Sequence, residues 1–220
     1  MNFWKNRKFL IILFTFFILG IFVFFAGRIA FVYIHSISAP FVPKKVYTVL
    51  QPPKDALTAQ ITNILGGVKK EGRQDTDFKE IQTAPTLVEG ESLATDATGS
   101  ATITIPEIIS IKLNKNSQFD FLNGLPQELV VRQPTGTILY TTTASSSIFS
   151  IRSLGLLTQL IGLSQVTIQT DTTQNTVQVY NVFGKVVLAY SDANNNSQVV
   201  HLSKGEVASF NYNNYTIRIR

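Results

Sequence analysis

The strongest constraint on this chain is a run of nineteen uncharged residues, residues 9–27 (FLIILFTFFILGIFVFFAG), in which Thr15 is the only polar side chain. At about 1.5 Å of rise per residue, a helix of this length spans roughly 28 Å, close to the hydrocarbon thickness of a bilayer. A helix that is apolar all round has no face for water, and buried core helices are usually shorter than a membrane span. The run therefore predicts a single-pass transmembrane helix, with the lipid bilayer as its first partner.

The basic residues around this run indicate its orientation. Lys5, Arg7 and Lys8 form a tight cluster directly before it, whereas Arg28 is the only basic residue close behind it. Positive residues near a span stay preferentially on the cytoplasmic side, so we expect a cytoplasmic N-terminus and an extracytoplasmic C-terminal domain. Only eight residues precede the run, so we expect no sigma-factor-binding segment in this tail.

A cleaved signal peptide is the alternative interpretation of the same run. Its apolar part would be unusually long, and small residues suited to cleavage occur only at Ser36 and Ser38, well beyond it. We therefore favour an uncleaved signal anchor. Since no cysteine follows the run, a bacterial lipoprotein anchor is excluded.

Proline content marks a spacer between the anchor and the rest of the chain. Four prolines fall between residues 40 and 53, and proline favours extended, semi-rigid backbone without ladder hydrogen bonds. The predicted organisation is a short cytoplasmic tail (1–8), a transmembrane helix with a membrane-proximal extension (9–37), a proline-rich linker (38–54) and a β domain (55–220).

Charge is distributed unevenly along the chain. Residues 1–45 carry six Lys and Arg and no acid, whereas residues 46–220 carry thirteen basic and fourteen acidic residues. The outer domain is therefore nearly neutral, which argues against nucleic acid as its main ligand. The chain has no cysteine, so disulfides, thiolate metal sites and cysteine nucleophiles are excluded.

Alternation of apolar and polar residues dominates the outer domain. Ile103 and Ile105 alternate with threonines, and Ile109 and Ile111 continue the pattern after the Pro106-Glu107 connection. Further short alternating segments follow, at residues 129–132, 136–142, 148–152, 166–170, 176–181, 185–190, 198–202, 206–212 and 215–220. Strands at this spacing, separated by Asn, Gly, Asp and Ser, predict an all-β antiparallel sandwich or roll.

Two stretches leave the secondary structure open or point away from strands. Residues 56–65 fit either a short helix capped by Asp55 and ended by Gly66-Gly67, or a strand that runs on through Val68 with a turn or bulge at these glycines. Residues 154–163 break the alternation, which favours a short helix with an apolar stripe. That stripe either plugs the core or forms an exposed patch for a protein partner. Its residues are Leu156, Leu157, Leu160 and Ile161.

A weak internal similarity accompanies these patterns. Residues 87–91 (LVEGE) and 202–206 (LSKGE) share a hydrophobic residue, two variable positions, a glycine and an acid. We interpret this as a turn that recurs for chemical reasons rather than as a duplication.

Five motifs in this order resemble the FecR-like domain, the extracytoplasmic family named for the ferric-citrate regulator. They are Gly67-Val68, residues 87–95 (LVEGESLAT), residues 100–105 (SATITI), residues 177–188 (VQVYNVFGKVVL) and residues 200–206 (VHLSKGE). The resemblance covers about residues 57–211. Where the family often has Asp-Gly-Ser this chain has Pro106-Glu107, and where it often has Gly-Thr this chain has Gly162-Leu163. The resemblance implies a membrane-anchored, non-catalytic bacterial domain for binding, sensing or cell-envelope assembly, with an envelope protein or glycan as partner.

Candidate catalytic residues are few. His35 lies near the membrane, and His201 lies in a predicted strand beside a turn, where a structural role is more common than catalysis. The acid pairs Asp75/Asp77 and Glu89/Glu91 lie on turn signals without calcium-loop spacing. We therefore predict no catalytic residue, cofactor or metal. An enzyme acting on envelope glycans and a nucleic-acid-binding surface protein are the alternatives.

Overall fold

A computed structural model of the chain describes residues 51–143 and 148–220, which form fifteen β-strands and no helix. The strands are β1 (Ala59–Leu65), β2 (Val68–Glu71), β3 (Lys79–Glu80), β4 (Thr86–Leu87), β5 (Ser92–Thr95), β6 (Ser100–Ile105), β7 (Ile109–Leu113), β8 (Gln118–Leu125), β9 (Glu128–Thr142), β10 (Ile148–Ser153), β11 (Leu156–Asp171), β12 (Thr176–Ser191), β13 (Ser197–Leu202), β14 (Val207–Asn211) and β15 (Thr216–Ile219).

The predicted membrane span, residues 9–27, lies outside the described residues, as do the predicted tail and most of the linker. Across residues 51–143 and 148–220, every segment falls short of the length and apolar character that a membrane-crossing helix needs. The all-β prediction is confirmed for this part of the chain.

Alternating burial explains why the predicted strands form. In β6 and β7 the isoleucines face inward, and Ile103 lies opposite Ile111, both fully buried. The intervening Thr102 and Thr104 point to the other face. Side chains of successive strand residues project to opposite faces, so one face of each strand packs in the core and the other faces water.

Three long strands connect all fifteen into one sheet. The first half of β9 pairs with β8 and β10, whereas its second half pairs with β7 and β11. β11 and β12 change partners in the same way, with register shifts near Gly162 and Gly184. The sheet therefore folds over at three bends into two layers. The front layer contains β1, β4, β6, β7, β14 and β15, and the back layer contains β2, β3, β5, β8, β10 and β13.

The inner faces of the two layers pack together in a single apolar core. Tyr140 from the front layer lies against Phe149 from the back layer, with ring centroids 5.8 Å apart. Tyr190 from the back part of β12 contacts Phe210 of β14 at 5.4 Å. Such tilted aromatic pairs stabilise a core beyond the burial of their area.

One pairing departs from the predicted antiparallel arrangement. β10 runs parallel to the first half of β9, with Phe149 opposite Leu129, so the sheet is mixed. The physical reason is the path of the chain. β9 ends in the front layer, whereas β10 starts in the back layer and lies beside the first half of β9.

The two ambiguous stretches both form strands. Residues 59–65 form β1, which decides between the alternatives left open by the sequence. The predicted helix over residues 154–163 is wrong, because Leu154 and Gly155 form a turn with φ of +43° and +83° and β11 starts at Leu156. Adjacent leucines occur here because this strand carries apolar residues on both faces.

The first bend is closed by hydroxyl groups. The Thr95 hydroxyl accepts the N–H of Ser117 at 3.0 Å, and the Ser117 hydroxyl accepts the N–H of Thr137 at 3.0 Å. Gly136 has a φ of +90°, and a Cβ there would lie 2.3 Å from the Ser117 Cα. A glycine is therefore required where β9 passes over Ser117.

A second bend repeats this pattern. The Thr142 hydroxyl accepts the N–H of Ser164 at 2.7 Å, and the Ser164 hydroxyl accepts the N–H of Lys185 at 3.2 Å. Gly184, with a φ of +94°, lies against Ser164. Thr142 and Ser164 follow Thr95 and Ser117 by 47 positions. Gly184 follows Gly136 by 48, so the two bends are built by the same local rule.

The turn shared by residues 87–91 and 202–206 also repeats in structure. Glu91 accepts the N–H of Val88 at 2.9 Å, and Glu206 accepts the N–H of Ser203 at 2.7 Å. The intervening glycines have φ of +91° and +84°. The acid caps the turn in both cases, so the shared pattern corresponds to one turn chemistry.

Candidate functional site

A polar groove of about 700 Å³ lies at one end of the front layer. Four stretches line it: residues 97–100, 114–116, 135–137 and 169–173. They meet because β6, β7, the second half of β9 and β11 are neighbours in the sheet and all have an end here. Most lining side chains are exposed, so the space is an open groove rather than a closed cavity.

Local chemistry holds the walls of the groove in place. The turn before β6 is closed by Asp96, whose Oδ1 accepts the Thr98 N–H at 2.8 Å and the Thr98 hydroxyl at 2.9 Å. Gly99 approaches the carbonyl oxygen of Gly67 so closely that a Cβ would lie 2.2 Å from it. These contacts fix the first wall against residues 66–67, which connect β1 to β2.

Thr170 forms the buried part of the groove. Thr170 is only 3% exposed, and its hydroxyl has no hydrogen-bond partner among residues 51–143 and 148–220. In the β9–β11 pairing it lies opposite Gly136, which adds no side chain to the groove. A buried hydroxyl without a partner is uncommon in folded proteins.

Charges within the groove are few and opposite in sign. Asp171 and Lys115 are the charged residues among those lining it. Asp171 Oδ1 caps the following turn, accepting the N–H groups of Thr173 at 2.8 Å and Gln174 at 3.1 Å. Hydrogen bonds from the Thr98 N–H and hydroxyl hold the pKa of the nearby Asp96 below its usual value. Both carboxylates are thus engaged in turns.

A pair of tyrosines lies farther along the same end of the front layer. Tyr212 and Tyr215, in the turn between β14 and β15, have ring centroids 5.2 Å apart. The Tyr212 N–H donates to the carbonyl of Asn175 at 2.9 Å, which ties this turn to the one that follows β11. A hydrogen bond with Tyr215, followed by the charge of Tyr215 and burial, raises the pKa of Tyr212.

The sequence-predicted patch is divided between two environments. Leu156 and Leu160 are buried in the core at 1% and 0% exposure, as the core alternative for the stripe expects. Leu157 and Ile161 are half-buried on the opposite face of β11. The division follows from the strand, since alternate residues face opposite sides. Leu157 also borders a smaller pocket of about 210 Å³ together with Val130 and Ile148.

The acids and histidine considered for chemistry lie apart from the groove. His201 is exposed on β13, opposite Val187. Glu91 pairs with Lys70 at 2.7 Å, and Asp75 pairs with Lys79 at 3.0 Å. In the part of the chain that the structure describes, three or more His, Asp or Glu side chains nowhere come together as metal ligands.

The groove residues were not recognised as a binding site from the sequence. The stretches around residues 97–100, 114–116 and 171–175 carry clear turn signals, with Asn, Asp, Gly, Ser and Thr. Their composition predicts exposed turns, but only strand pairing brings them to one end of the sheet.

Comparison with solved structures finds a similar fold in the "putative anti-sigma factor" from Parabacteroides distasonis ATCC 8503, in crystal structures at 1.65 and 2.50 Å resolution. Each matches with a TM-score of 0.51 and 14% sequence identity. The similarity spans 59% of this chain and 58% of that chain, so it concerns the fold of somewhat more than half of each. No family model matches the chain, and no curated protein does.

Proposed function

We propose that this protein is a membrane-anchored, non-catalytic domain that binds or senses a component of the cell envelope outside the cytoplasmic membrane. The apolar run at residues 9–27 would anchor it, and the groove at the end of the front layer would hold the ligand.

The observation that carries this proposal is the chemistry of the groove. The residues that line it are mainly Thr, Ser, Asn, Gln and Gly, and Asp171, the one carboxylate among the described lining residues, caps a turn. Catalysis by acids and bases needs a titratable group positioned to exchange a proton with the substrate. Reversible binding needs only donors and acceptors that complement the ligand, and the groove supplies these.

Two similarities support a regulatory or sensing role. The five FecR-like motifs follow one another in this chain, and the Parabacteroides protein with a similar fold is described as a "putative anti-sigma factor". A FecR-like receptor domain would transmit binding of its ligand to other envelope proteins.

Cysteine labelling tests the location. The chain has no cysteine, so Ser197→Cys in the exposed start of β13 would report alone. A membrane-impermeant maleimide should label this variant in intact cells, whereas Asn6→Cys in the predicted tail should react only after lysis. Labelling of Ser197→Cys only after lysis would overturn the proposed location.

Site-specific photocrosslinking tests the binding role. A benzophenone amino acid in place of the exposed Asn114 in the groove should capture an envelope component in living cells. The matched control carries the same crosslinker at exposed His201 on β13, away from the groove. Equal capture at both positions, or none at Asn114, would contradict binding in the groove.

A further inference from the structure

We infer that the groove and the adjacent tyrosine pair form a binding site for a neutral oligosaccharide. This inference rests on the proposed function and deepens it by naming the class of ligand. Three features of the site lead to it: the hydroxyl and amide side chains of its lining, the buried hydroxyl of Thr170 that lacks a partner among the described residues, and the position of Tyr212 and Tyr215.

The lining matches a ligand rich in hydroxyl groups. Threonine and serine hydroxyls donate and accept, as do asparagine and glutamine amides, so the groove can pair with groups that do the same. Its volume of about 700 Å³ lies within the range of small-molecule sites, roughly 300–1,000 Å³. A sugar chain presents many hydroxyls and fits an open groove from which it can continue at both ends.

The charge of the groove selects against ionic ligands. Among the described residues that line the groove, Lys115 is the only basic one, and Asp171 carries the opposite charge. Recognition of an anionic polymer relies on clustered Lys and Arg side chains, which this groove lacks among the residues that line it. The ligand that the lining complements is therefore uncharged.

The hydroxyl of Thr170 offers a hydrogen bond that a ligand group would complete. Its hydroxyl is desolvated by the fold, with 3% of the residue exposed, yet no described residue bonds to it. Buried polar groups normally have partners, and an unmet one is a place where a ligand donor or acceptor gains affinity. The Asn175 Oδ1, in the turn next to the groove, is likewise buried and unbonded among the described residues.

The tyrosine pair extends the site through the exposed ring of Tyr215, while Tyr212 packs partly buried against the core. From β11 the sheet continues through β12 to β14, so the turn with Tyr212 and Tyr215 begins two strands, or about 10 Å, from the groove. Both turns lie at the same end, since Asp171 pairs with Thr176 and Thr176 with Asn211. Tyrosine combines an aromatic face with a polar hydroxyl, and a pyranose ring has matching C–H faces and hydroxyl edges.

Calorimetric titration of the full chain, in a zwitterionic detergent without a sugar headgroup, tests this inference. The neutral probes are tetra-N-acetylchitotetraose and cellotetraose, and the anionic probe is tetragalacturonate. We expect binding of a neutral probe that changes little with salt. Lack of binding by both neutral probes, or stronger and salt-sensitive binding of tetragalacturonate, would overturn the inference.

Matched variants assign the binding to the groove. Thr170→Val keeps the shape of the side chain and removes the hydroxyl, so we expect affinity to fall about tenfold with a melting temperature that is unchanged or raised. Thr167→Val, on the outer face of the same strand, should bind as the parent does. If Thr170→Val fails to fold, Asn114→Trp in an exposed turn should block the groove instead. Parental affinity in a folded Thr170→Val and in Asn114→Trp would refute the site.

The outcomes separate this inference from the function on which it rests. Extracellular labelling at Ser197→Cys and crosslinking at Asn114, without oligosaccharide binding, would leave the sensing role standing and refute the ligand class. Labelling only after lysis would refute the proposed function itself.

Discussion

The hydroxyl of Ser117 hydrogen-bonds to both backbone polar groups of Thr137. It accepts the Thr137 N–H at 3.0 Å and lies 3.1 Å from the Thr137 carbonyl as a donor. β9 can approach this closely only because Gly136, with a φ of +90°, has no side chain. The bend that transfers β9 from the back layer to the front layer therefore depends on one serine and one glycine.

Alanine substitution of two glycines measures how tight this bend is. Gly136→Ala would place a Cβ 2.3 Å from the Ser117 Cα, and we expect a loss of about 3 kcal/mol or more in the free energy of unfolding. Gly205→Ala is the control, because its φ of +84° is similar but nothing lies within 4 Å of the added Cβ. It should cost about 1–2 kcal/mol. Urea unfolding of a fragment of residues 51–220 measures both, and equal losses would show that the corner has room.

Strand positions could be predicted from the sequence because their signal is local. The alternation around Ile103 and Ile111 identifies the buried face correctly. The continuity of β9 and β12 through their bends could not be predicted, since Gly136 and Gly184 look like ordinary breaks between strands. The bend is recognised only once Ser117 and Ser164, some twenty residues earlier, are known to lie beneath those glycines.

The helix predicted over residues 154–163 failed for a related reason. Apolar residues at adjacent positions suit a helical stripe, but they also suit a strand with apolar groups on both faces. The pairing partners on either side of β11 decide between these, and they come from β9, β10 and β12. The groove has the same non-local origin, because strand pairing brings together turns such as those at Asn114 and Thr172 that are far apart in sequence.

Removal of the buried carboxylate of Asp120 should be strongly destabilising. The fully buried Asp120 lies 2.7 Å from Arg132 Nε and accepts the Ser92 hydroxyl at 2.6 Å. Asp120→Ala would leave Arg132 without this partner, and breaking such a pair costs about 3–5 kcal/mol. The midpoint of urea unfolding measures the loss.

The control for this prediction is the exposed ion pair of Asp75 and Lys79. Their side chains are 40% and 71% exposed, so solvent screens the interaction. Asp75→Ala should leave the midpoint of urea unfolding nearly unchanged. A loss at Asp120 no larger than at Asp75 would contradict the importance of the buried pair.

Two leucines of β11 should respond differently to truncation. Leu160 is fully buried, so Leu160→Ala should cost about 2–5 kcal/mol through lost burial and the cavity it leaves. Leu157 is half-buried on the outer face, and Leu157→Ala should cost about 1 kcal/mol or less. Thermal melting compares them directly. Equal losses would show that Leu157 is part of the core and would remove it from any partner surface.

The phenol of Tyr140 should make the fold sensitive to alkaline conditions. The residue is fully buried and its hydroxyl donates to Gln133 Oε1 at 3.0 Å. Burial, assisted by the charge of Asp120, raises its pKa well above the ordinary value of 10.0. A raised pKa means that the folded state favours the protonated phenol. Its contribution is therefore complete below the unfolded-state pKa and is lost as the pH rises above 10. We expect the free energy of unfolding to fall in that range by up to about 1.4 kcal/mol per pH unit for this one group.

Tyr140→Phe should lose about 1 kcal/mol at neutral pH, because Gln133 loses its donor, and should show a shallower alkaline decline. Tyr180→Phe, at a residue 42% exposed on β12, is the matched control and should keep the parental slope. Urea unfolding between pH 7 and 11 measures all three proteins. If Tyr140→Phe declined as steeply as the parent, the alkaline sensitivity would have to come from another group.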